Sequence, residues 1–204
     1  MGDIVAGVPS QPHAIITTWM PGVILPADDL SPNIVAAIVD ALSPAQTCAL
    51  TMWAEARSRL VRGHGWVSNP LDAMVDILTV ILNRSHDSRW QALGPKGVCL
   101  QPYQFSCWLP HAGADANHDP QHLADNFEAL MCRAQQLLAG EEPSAKLLGC
   151  LAAAEGALDG ALVDTLAGAT HYYATWITPP TWVRPPAAVL VAERFGHRFY
   201  RAVR

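Results

Sequence analysis

"PLDAMVDILTVILNRS", residues 70–85, is apolar on nearly every side of the helix that its pattern predicts. Such a helix is typically the central one in a domain, with other helices wrapped around it. Pro70 suits the first helical position, because proline lacks only an N–H that would have no partner in the helix. The stretch therefore predicts a mainly helical domain built around residues 70–85.

The same helix-start signal, a capping side chain directly before a proline, recurs along the chain. It occurs at Ser31-Pro32, Ser43-Pro44, Asn69-Pro70 and Asp119-Pro120. The apolar spacing predicts helices near 32–42, 44–61, 70–85, 120–139 and 144–157. After residue 165, β-branched and aromatic residues predict two or three short antiparallel strands. The expected fold class is mainly α with a small antiparallel β-sheet.

The composition indicates a well-packed protein and gives no sign of nucleic-acid binding. Half of the 204 residues are hydrophobic, 15% are charged, and the net charge of −5 gives no sign of nucleic-acid binding. The arginines of the last 25 residues could form a basic edge for an anionic polymer or simply a solvated face. Residues 1–30 read as a proline-rich N-terminal arm, and residues 31–204 as the folded domain. Deletion of residues 1–30 is therefore expected to leave a folded domain.

The start of the chain has no basic segment followed by a continuous apolar run. No apolar stretch approaches the roughly 20 residues of a transmembrane helix. We therefore expect synthesis in the cytoplasm without a signal peptide. Five cysteines without a C-x-x-C pair argue against a zinc ribbon. Cys99 and Cys107 flank a short loop and could either form a disulfide or remain reduced thiols.

"TMWAEARSRL", residues 51–60, places Glu55 on the flank of an apolar helical stripe. Partial burial disfavours the charged form of a carboxylate, which suits a general acid near neutral pH. The alternative is a helix-surface acid paired with Arg57 or Arg59.

Two aromatic segments could bind a sugar. In "QPYQFSCW", residues 101–108, polar side chains alternate with aromatic rings that could stack on pyranose faces; the alternative is a buried turn. In "GATHYYATW", residues 168–176, Thr170 and Tyr172 are expected on one strand face, and His171 and Tyr173 on the other.

Together, five motifs in one order give the chain its resemblance to a known family. They are Glu55-Ala56-Arg57, "VILNR" (80–84), "QFSCW" (104–108), "GATHYYA" (168–174) and "GHRFYR" (196–201). Over about residues 47–202 the chain resembles the SleB/CwlJ-type cell wall hydrolases. The resemblance implies a lysozyme-like (α+β) fold and cleavage of peptidoglycan glycan strands, typically as a lytic transglycosylase. We expect no cofactor and no metal.

The resemblance also implies a set of site residues. Glu55 corresponds to the catalytic glutamate. The residues expected to line the substrate groove are Gln104, Phe105, Ser106, Thr170, His171 and Tyr172. A bacterial or phage source follows, and the expected route to the wall is either an endolysin released through a membrane lesion, with a holin, or a hydrolase carried in a phage particle.

Three features depart from the family pattern. Ser58-Arg59 stands where the family commonly has Gly-Glu, and Tyr173 stands where it usually has His. An additional segment around "VRGHGWVSN", residues 61–69, is expected to form a rim loop of the groove.

Other functions remain open at this stage. A hydrolytic glycosidase normally needs two carboxylates, and Asp72 and Asp76 are the candidates for the second. A zinc-dependent amidase would draw ligands from a segment rich in His and Asp. That segment contains His111, Asp115, His118, Asp119 and His122. The third possibility is a non-catalytic phage or particle component with a degenerate hydrolase domain.

Overall fold

The computed structural model describes residues 20–102, 104–109 and 120–203. The α-helices in these residues are α1 (Pro32–Ala41), α2 (Pro44–Ala56), α3 (Leu71–His86), α4 (Gly94–Leu100), α5 (Pro120–Leu138) and α6 (Ala145–Leu158). The strands are β1 (Ser58–Val61), β2 (Gly65–Ser68), β3 (His171–Ala174), β4 (Val189–Arg194) and β5 (His197–Arg201). The fold is mainly α with a small antiparallel sheet, which confirms the predicted class.

Two serine caps start helices as predicted, whereas Asn69 does not. The Ser31 hydroxyl accepts a hydrogen bond from the Ile34 N–H at 3.4 Å. Ser43 and Gln46 form a reciprocal capping box at 3.1 and 2.8 Å. The prediction is wrong at Asn69, because α3 begins at Leu71 without a side-chain cap. Both polar atoms of the Asn69 side chain are buried without a partner.

The core forms around two helices rather than one. Helix α3 packs against α2, α4 and α6, as expected of a central helix, but α2 packs against α3, α4, α5 and α6. The fully buried side chains in this core include Leu50, Met52, Ile77, Leu78, Ile81 and Leu130. Each such side chain stabilises the fold by roughly 1.5–3 kcal/mol relative to leaving it in water. Helix α2, which carries Glu55, is thereby held on several sides.

The predicted strands after residue 165 form a three-stranded antiparallel sheet with β5 between β3 and β4. Tyr172 of β3 pairs with Phe199 of β5, and Tyr173 pairs with Arg198. Successive side chains of a strand point to opposite faces. Tyr172 and Tyr173 therefore belong to different faces of the sheet.

The predicted helix over 44–61 is too long. Helix α2 ends at Ala56, and the chain continues into the hairpin β1–β2, in which Leu60 pairs with Trp66. Gly63 and Gly65 take φ angles of +82° and +68°, which glycine adopts without a steric penalty. Leu60 is 45% exposed on this hairpin instead of lying on the helical stripe. The short helix α4 was not predicted either.

The five cysteines are free thiols. The Sγ atom of Cys99 lies 4.0 Å from that of Cys48 in the core. Among the described residues, no single helix has the length and apolar character to cross a membrane. Helices α1 and α2 meet those criteria only when taken together, and they bend by 116° at their junction.

The segment before α1 is joined to the domain through Leu25. This side chain is 7% exposed. The Leu25 N–H donates to Oε1 of Gln135 at 2.7 Å, and the Leu25 carbonyl accepts from Nε2 of Gln135 at 3.2 Å. Gln135 is itself 1% exposed, and removal of Leu25 would take away the partner of its Oε1 atom, while Nε2 keeps its bond to the Met131 carbonyl.

We therefore expect two N-terminal truncations to differ. A protein that starts at residue 31 should fold but be less stable than one that starts at residue 20 by at least about 2 kcal/mol, because it lacks the buried Leu25 and its bonds to Gln135. Thermal unfolding followed by circular dichroism measures the difference. Equal melting temperatures would show that Leu25 contributes nothing to the core.

Candidate active site

Three segments that are distant in sequence meet at the half-buried carboxylate of Glu55, in the last turn of α2. Its Oε1 atom accepts hydrogen bonds from the backbone N–H of Cys107 at 2.9 Å and from the Ser106 hydroxyl at 3.4 Å. Its Oε2 atom accepts from the Tyr172 hydroxyl at 2.7 Å. Both oxygens are thus fixed, one by the 3-10 turn Ser106–Trp108 and the other by β3.

Helix α2 itself holds the 3-10 turn in place. The indole Nε1 of Trp108 donates to the Thr51 hydroxyl at 2.9 Å, one turn before Glu55. Phe105, which precedes the turn, is 1% exposed and anchors it in the core. Burial, and then the charge of Glu55, raise the pKa of the Cys107 thiol well above its usual value. The thiol therefore stays neutral, and the Cys107 backbone N–H is a donor to Glu55.

A buried arginine at the end of α3 fixes the start of β3. The Nε atom of Arg84 donates to the Thr170 carbonyl at 2.6 Å, and the guanidinium carbon lies 4.9 Å from the centre of the Phe105 ring. Burial is the main cause that lowers the Arg84 pKa. Next to it, Nδ2 of Asn83 donates to the Ala169 carbonyl at 3.1 Å. These contacts place β3 so that its tyrosine reaches Glu55.

Tyr172 is packed among aromatic rings. Its ring centre lies 6.4 Å from that of Phe105, 6.0 Å from that of Phe199 and 5.5 Å from that of His197. Burial, followed by the charge of Glu55, raises the pKa of the Tyr172 phenol well above its usual value. The phenol is therefore protonated at neutral pH and acts as a hydrogen-bond donor to the carboxylate.

Two histidines near the site are uncharged at neutral pH. Burial lowers the pKa of both His171 and His197 to about 4. The His171 ring packs against Trp182 at 5.1 Å, and the His197 ring packs against Trp176 at 6.0 Å. Neither imidazole is in its cationic form at pH 7.

The structure brings only part of the expected groove to Glu55. Ser106 and Tyr172 bond it directly. The Thr170 hydroxyl and Nδ1 of His171 lie 3.0 Å apart and bond each other. Thr170 is buried, and His171 shares the strand face of Tyr173, so the His171 ring points away from Glu55.

The buried turn considered for residues 101–108 is present around Phe105. Gln104 is half-buried, and its backbone N–H bonds the Gln101 carbonyl at 3.1 Å. Phe105 lies in the core, where it supports Arg84 and Tyr172 and presents almost no ring surface to a ligand. Tyr103 lies outside the described residues.

The residues that depart from the family pattern lie away from the Glu55 carboxylate. Tyr173 faces the other side of the sheet, where it stacks on Tyr200 at 5.8 Å and accepts a hydrogen bond from Nη1 of Arg198 at 3.1 Å. Ser58 and Arg59 begin β1. The histidine that the family usually has at position 173 would therefore point away from Glu55.

Of the residues named for the alternative chemistries, the structure describes only the side chains of Asp72 and Asp76. His111, Asp115, His118 and Asp119, together with the His122 side chain, fall outside what the structure describes. Within the described part of the chain, no group of three or more His, Cys, Asp or Glu residues could hold a metal ion. Asp76 bonds Arg194, with Oδ2 accepting from Nε at 2.7 Å, and Asp72 is exposed in the first turn of α3.

Sequence reasoning missed two parts of the site. The Cys107 N–H is a backbone group, so no residue type marks it. Arg84 was noticed only as part of a motif, although an arginine on a helix that is otherwise apolar all round signals a buried cation that needs partners.

A family model described as Cell Wall Hydrolase matches residues 68–200. The matched part contains Arg84, the 3-10 turn and Tyr172, but it begins after Glu55, whose place in the cluster rests on the geometry above. No curated protein and no solved structure matches the chain. Because the match covers more than half of its length, the chain belongs to the cell wall hydrolase family.

Proposed function

We propose that this protein is a lytic transglycosylase that cleaves peptidoglycan glycan strands between N-acetylmuramic acid and N-acetylglucosamine. Membership of the cell wall hydrolase family supports a peptidoglycan-degrading enzyme in general. The observation that carries the finer proposal is the Glu55 carboxylate, on which α2, the 3-10 turn and β3 converge through hydrogen bonds of 2.7, 2.9 and 3.4 Å.

In this mechanism Glu55 first acts as a general acid. It gives its proton to the glycosidic oxygen, and the bond from that oxygen to C1 of N-acetylmuramic acid breaks. The resulting carboxylate then takes the proton of the 6-hydroxyl of the same sugar, whose oxygen forms a bond to C1. The product is a 1,6-anhydro ring, no water is consumed, and one carboxyl group performs both proton transfers.

The surroundings of the two other candidate carboxylates favour this one-acid route. Asp76 is committed to its ion pair with Arg194. Asp72 is exposed in the first turn of α3.

The neighbouring side chains divide into two proposed roles. Tyr172 and the Cys107 N–H orient the Glu55 carboxyl group, because they occupy one lone pair on each oxygen and leave it in the half-buried position that a glycosidic oxygen can approach. Ser106 and Gln104 are proposed to contact the sugar hydroxyl and N-acetyl groups, whereas Thr170 is buried and His171 shares the strand face of Tyr173. Phe105 supports them from the core.

The products of digestion test the proposal. We expect mass spectrometry of peptidoglycan treated with the protein to show muropeptides that end in 1,6-anhydro-N-acetylmuramic acid, lighter by one water than hydrolysed ones. The expectation follows from the cluster around Glu55, in which the described part of the chain places one carboxylate.

Other products would identify a different reaction. Reducing-end N-acetylmuramic acid as the main product would mean hydrolysis and would require a second carboxylate. Free stem peptides would indicate an amidase and draw attention to the 111–122 segment. The Glu55→Gln protein serves as the negative control, since its digest should contain none of these products above background.

A further inference from the structure

We propose that Asn126 of α5 is a positioning residue for the proposed reaction. Its buried amide group holds the last turn of α2 and thereby sets the position from which the Glu55 carboxyl group reaches the glycosidic oxygen. The inference rests on the proposed function, because it concerns the same carboxyl group. Asn126 acts through Glu55 rather than on the glycan, since its side chain is only 6% exposed.

The end of α2 depends on partners from distant parts of the chain. The last four carbonyls of an α-helix lack N–H partners within the helix, and the Ala54 carbonyl is one of them. Many helices close with a glycine turn that satisfies such carbonyls. Helix α2 instead passes into Arg57, whose φ of −64° and ψ of −28° are still helical. The Arg57 carbonyl accepts from the Asn69 N–H, which follows β2. The contacts that close the turn carrying Glu55 therefore come from outside α2.

Asn126 provides such a contact for Ala54. Its Nδ2 atom donates to the Ala54 carbonyl at 3.4 Å. Ala54 is 5% exposed and directly precedes Glu55 in the chain. A shift of this carbonyl would therefore move the backbone that carries the catalytic carboxyl group.

Helix α5 contacts both segments that define the position of this carboxyl group. It packs against α2 and against the 3-10 turn Ser106–Trp108. The Cys107 N–H of that turn donates to Oε1 of Glu55 at 2.9 Å. A misplacement of about 1 Å can lower the rate of an enzyme about 10²-fold. A bond from α5 that keeps α2 in place relative to the turn therefore bears directly on the rate of proton transfer.

The Asn126 amide is buried in a way that does not favour stability. Its Oδ1 atom is buried and has no hydrogen-bond partner among the described residues. Burial of such an oxygen destabilises a protein. Leucine has the same number and branching of side-chain heavy atoms and would avoid this loss. Residues that are unfavourable for packing are expected at functional sites, where they meet a geometric requirement.

Steady-state kinetics on solubilised peptidoglycan strands test the inference. Asn126→Leu should lower kcat at least about tenfold and leave KM within about twofold, because it displaces Glu55 but removes no contact with the sugar. Its melting temperature should stay within a few degrees of the parent's, since the lost bond to Ala54 and the removal of the unpartnered oxygen have opposite effects. Asn126→Gln keeps the amide donor and should retain more of the activity.

Gln135→Leu is the matched control, because Gln135 is a buried amide on the same helix whose partners are Leu25 and Met131. It should lower the melting temperature and leave kcat unchanged. A second measurement uses the inactive Glu55→Gln protein and isothermal titration calorimetry. Adding Asn126→Leu to this protein should leave its affinity for long glycan strands unchanged.

Three results would overturn this inference and leave the proposed function in place. They are a parental kcat in Asn126→Leu, failure of Asn126→Leu to fold when Gln135→Leu folds, and a loss of glycan affinity when Asn126→Leu is added to Glu55→Gln. A parent protein that cleaves no glycan strand overturns the proposed function together with the inference.

Discussion

Replacement of Glu55 by glutamine is expected to lower the rate of glycan cleavage at least about 10²-fold. The amide has nearly the same size as the carboxyl group but cannot deliver a proton at neutral pH. General acid–base assistance typically contributes about 10²–10⁴-fold, and here one residue would supply both proton transfers. His171 and His197 cannot replace it, because their pKa values near 4 leave them neutral.

The Glu55→Gln protein should fold normally. The glutamine oxygen can still accept from the Cys107 N–H, and its amide can donate to the Tyr172 hydroxyl in place of the original bond. We expect the free energy of unfolding to change by no more than about 1 kcal/mol. Activity is measured by the release of soluble muropeptides and stability by urea unfolding.

Glu155→Gln is the matched control, because Glu155 is exposed on α6 and belongs to none of the motifs. It should leave activity and stability unchanged. A folded Glu55→Gln protein with full activity would end the assignment of Glu55 as the catalytic acid. An unfolded one would show that the carboxylate is needed for the structure.

The second large effect concerns the ion pair between α3 and β4. Arg194→Met should lower the free energy of unfolding by roughly 3 kcal/mol at pH 7, because it leaves the carboxylate of Asp76 buried without its cationic partner. Asp76 has a 4% exposed side chain, whereas that of Arg194 is 37% exposed. The Thr165 hydroxyl, which accepts from Nη2 of Arg194 at 2.8 Å, loses its donor as well.

The loss of unfolding free energy in Arg194→Met should depend on pH. Burial raises the pKa of Asp76, and the bond to Arg194 opposes that rise without cancelling it. Without Arg194 the pKa of Asp76 rises further. Above this pKa the buried carboxylate is charged and destabilises the fold. Below it the carboxylate is protonated, and the destabilisation is relieved. We therefore expect the deficit of Arg194→Met to be smaller at pH 5 than at pH 7.

Asp76→Asn is the informative comparison. The asparagine oxygen can still accept from Arg194, and the partly exposed guanidinium can be hydrated, so the loss of stability should be smaller than for Arg194→Met. Activity should be retained, since Asp76 bonds Arg194 and has no part in the proposed mechanism. A loss of cleavage comparable to that of Glu55→Gln would identify Asp76 as a second catalytic carboxylate.

Local signals in the sequence were sufficient to predict most of the helices. Ser31 and Ser43 cap α1 and α2 in the structure because a serine hydroxyl reaches only backbone groups within its own turn. The apolar periodicity of α5 and the aromatic and β-branched run of β3 are likewise short-range patterns. The motif order also indicated the family before any contact was known.

The hairpin β1–β2 shows where local patterns fail. Residues 57–61 continue the apolar spacing of α2, and the sequence predicted a helix to residue 61. In the structure, Ser58 pairs with Ser68 and the Arg57 carbonyl accepts from the Asn69 N–H at 3.1 Å. These bonds join residues about ten positions apart, so no window within one helix contains the information that ends α2 at Ala56.

The sequence by itself determined the class of fold, the helix starts at Ser31 and Ser43, and Glu55 as the acid to examine. Tertiary structure decided how the carboxylate is held, because the backbone N–H of Cys107 and the hydroxyl of Tyr172 meet it only after α2, the 3-10 turn and β3 have packed. It also decided that Phe105 supports the core and that Trp66 faces outward. Burial and long-range pairing depend on elements that are distant in the chain. The spacing of residues along the sequence therefore does not predict either of them.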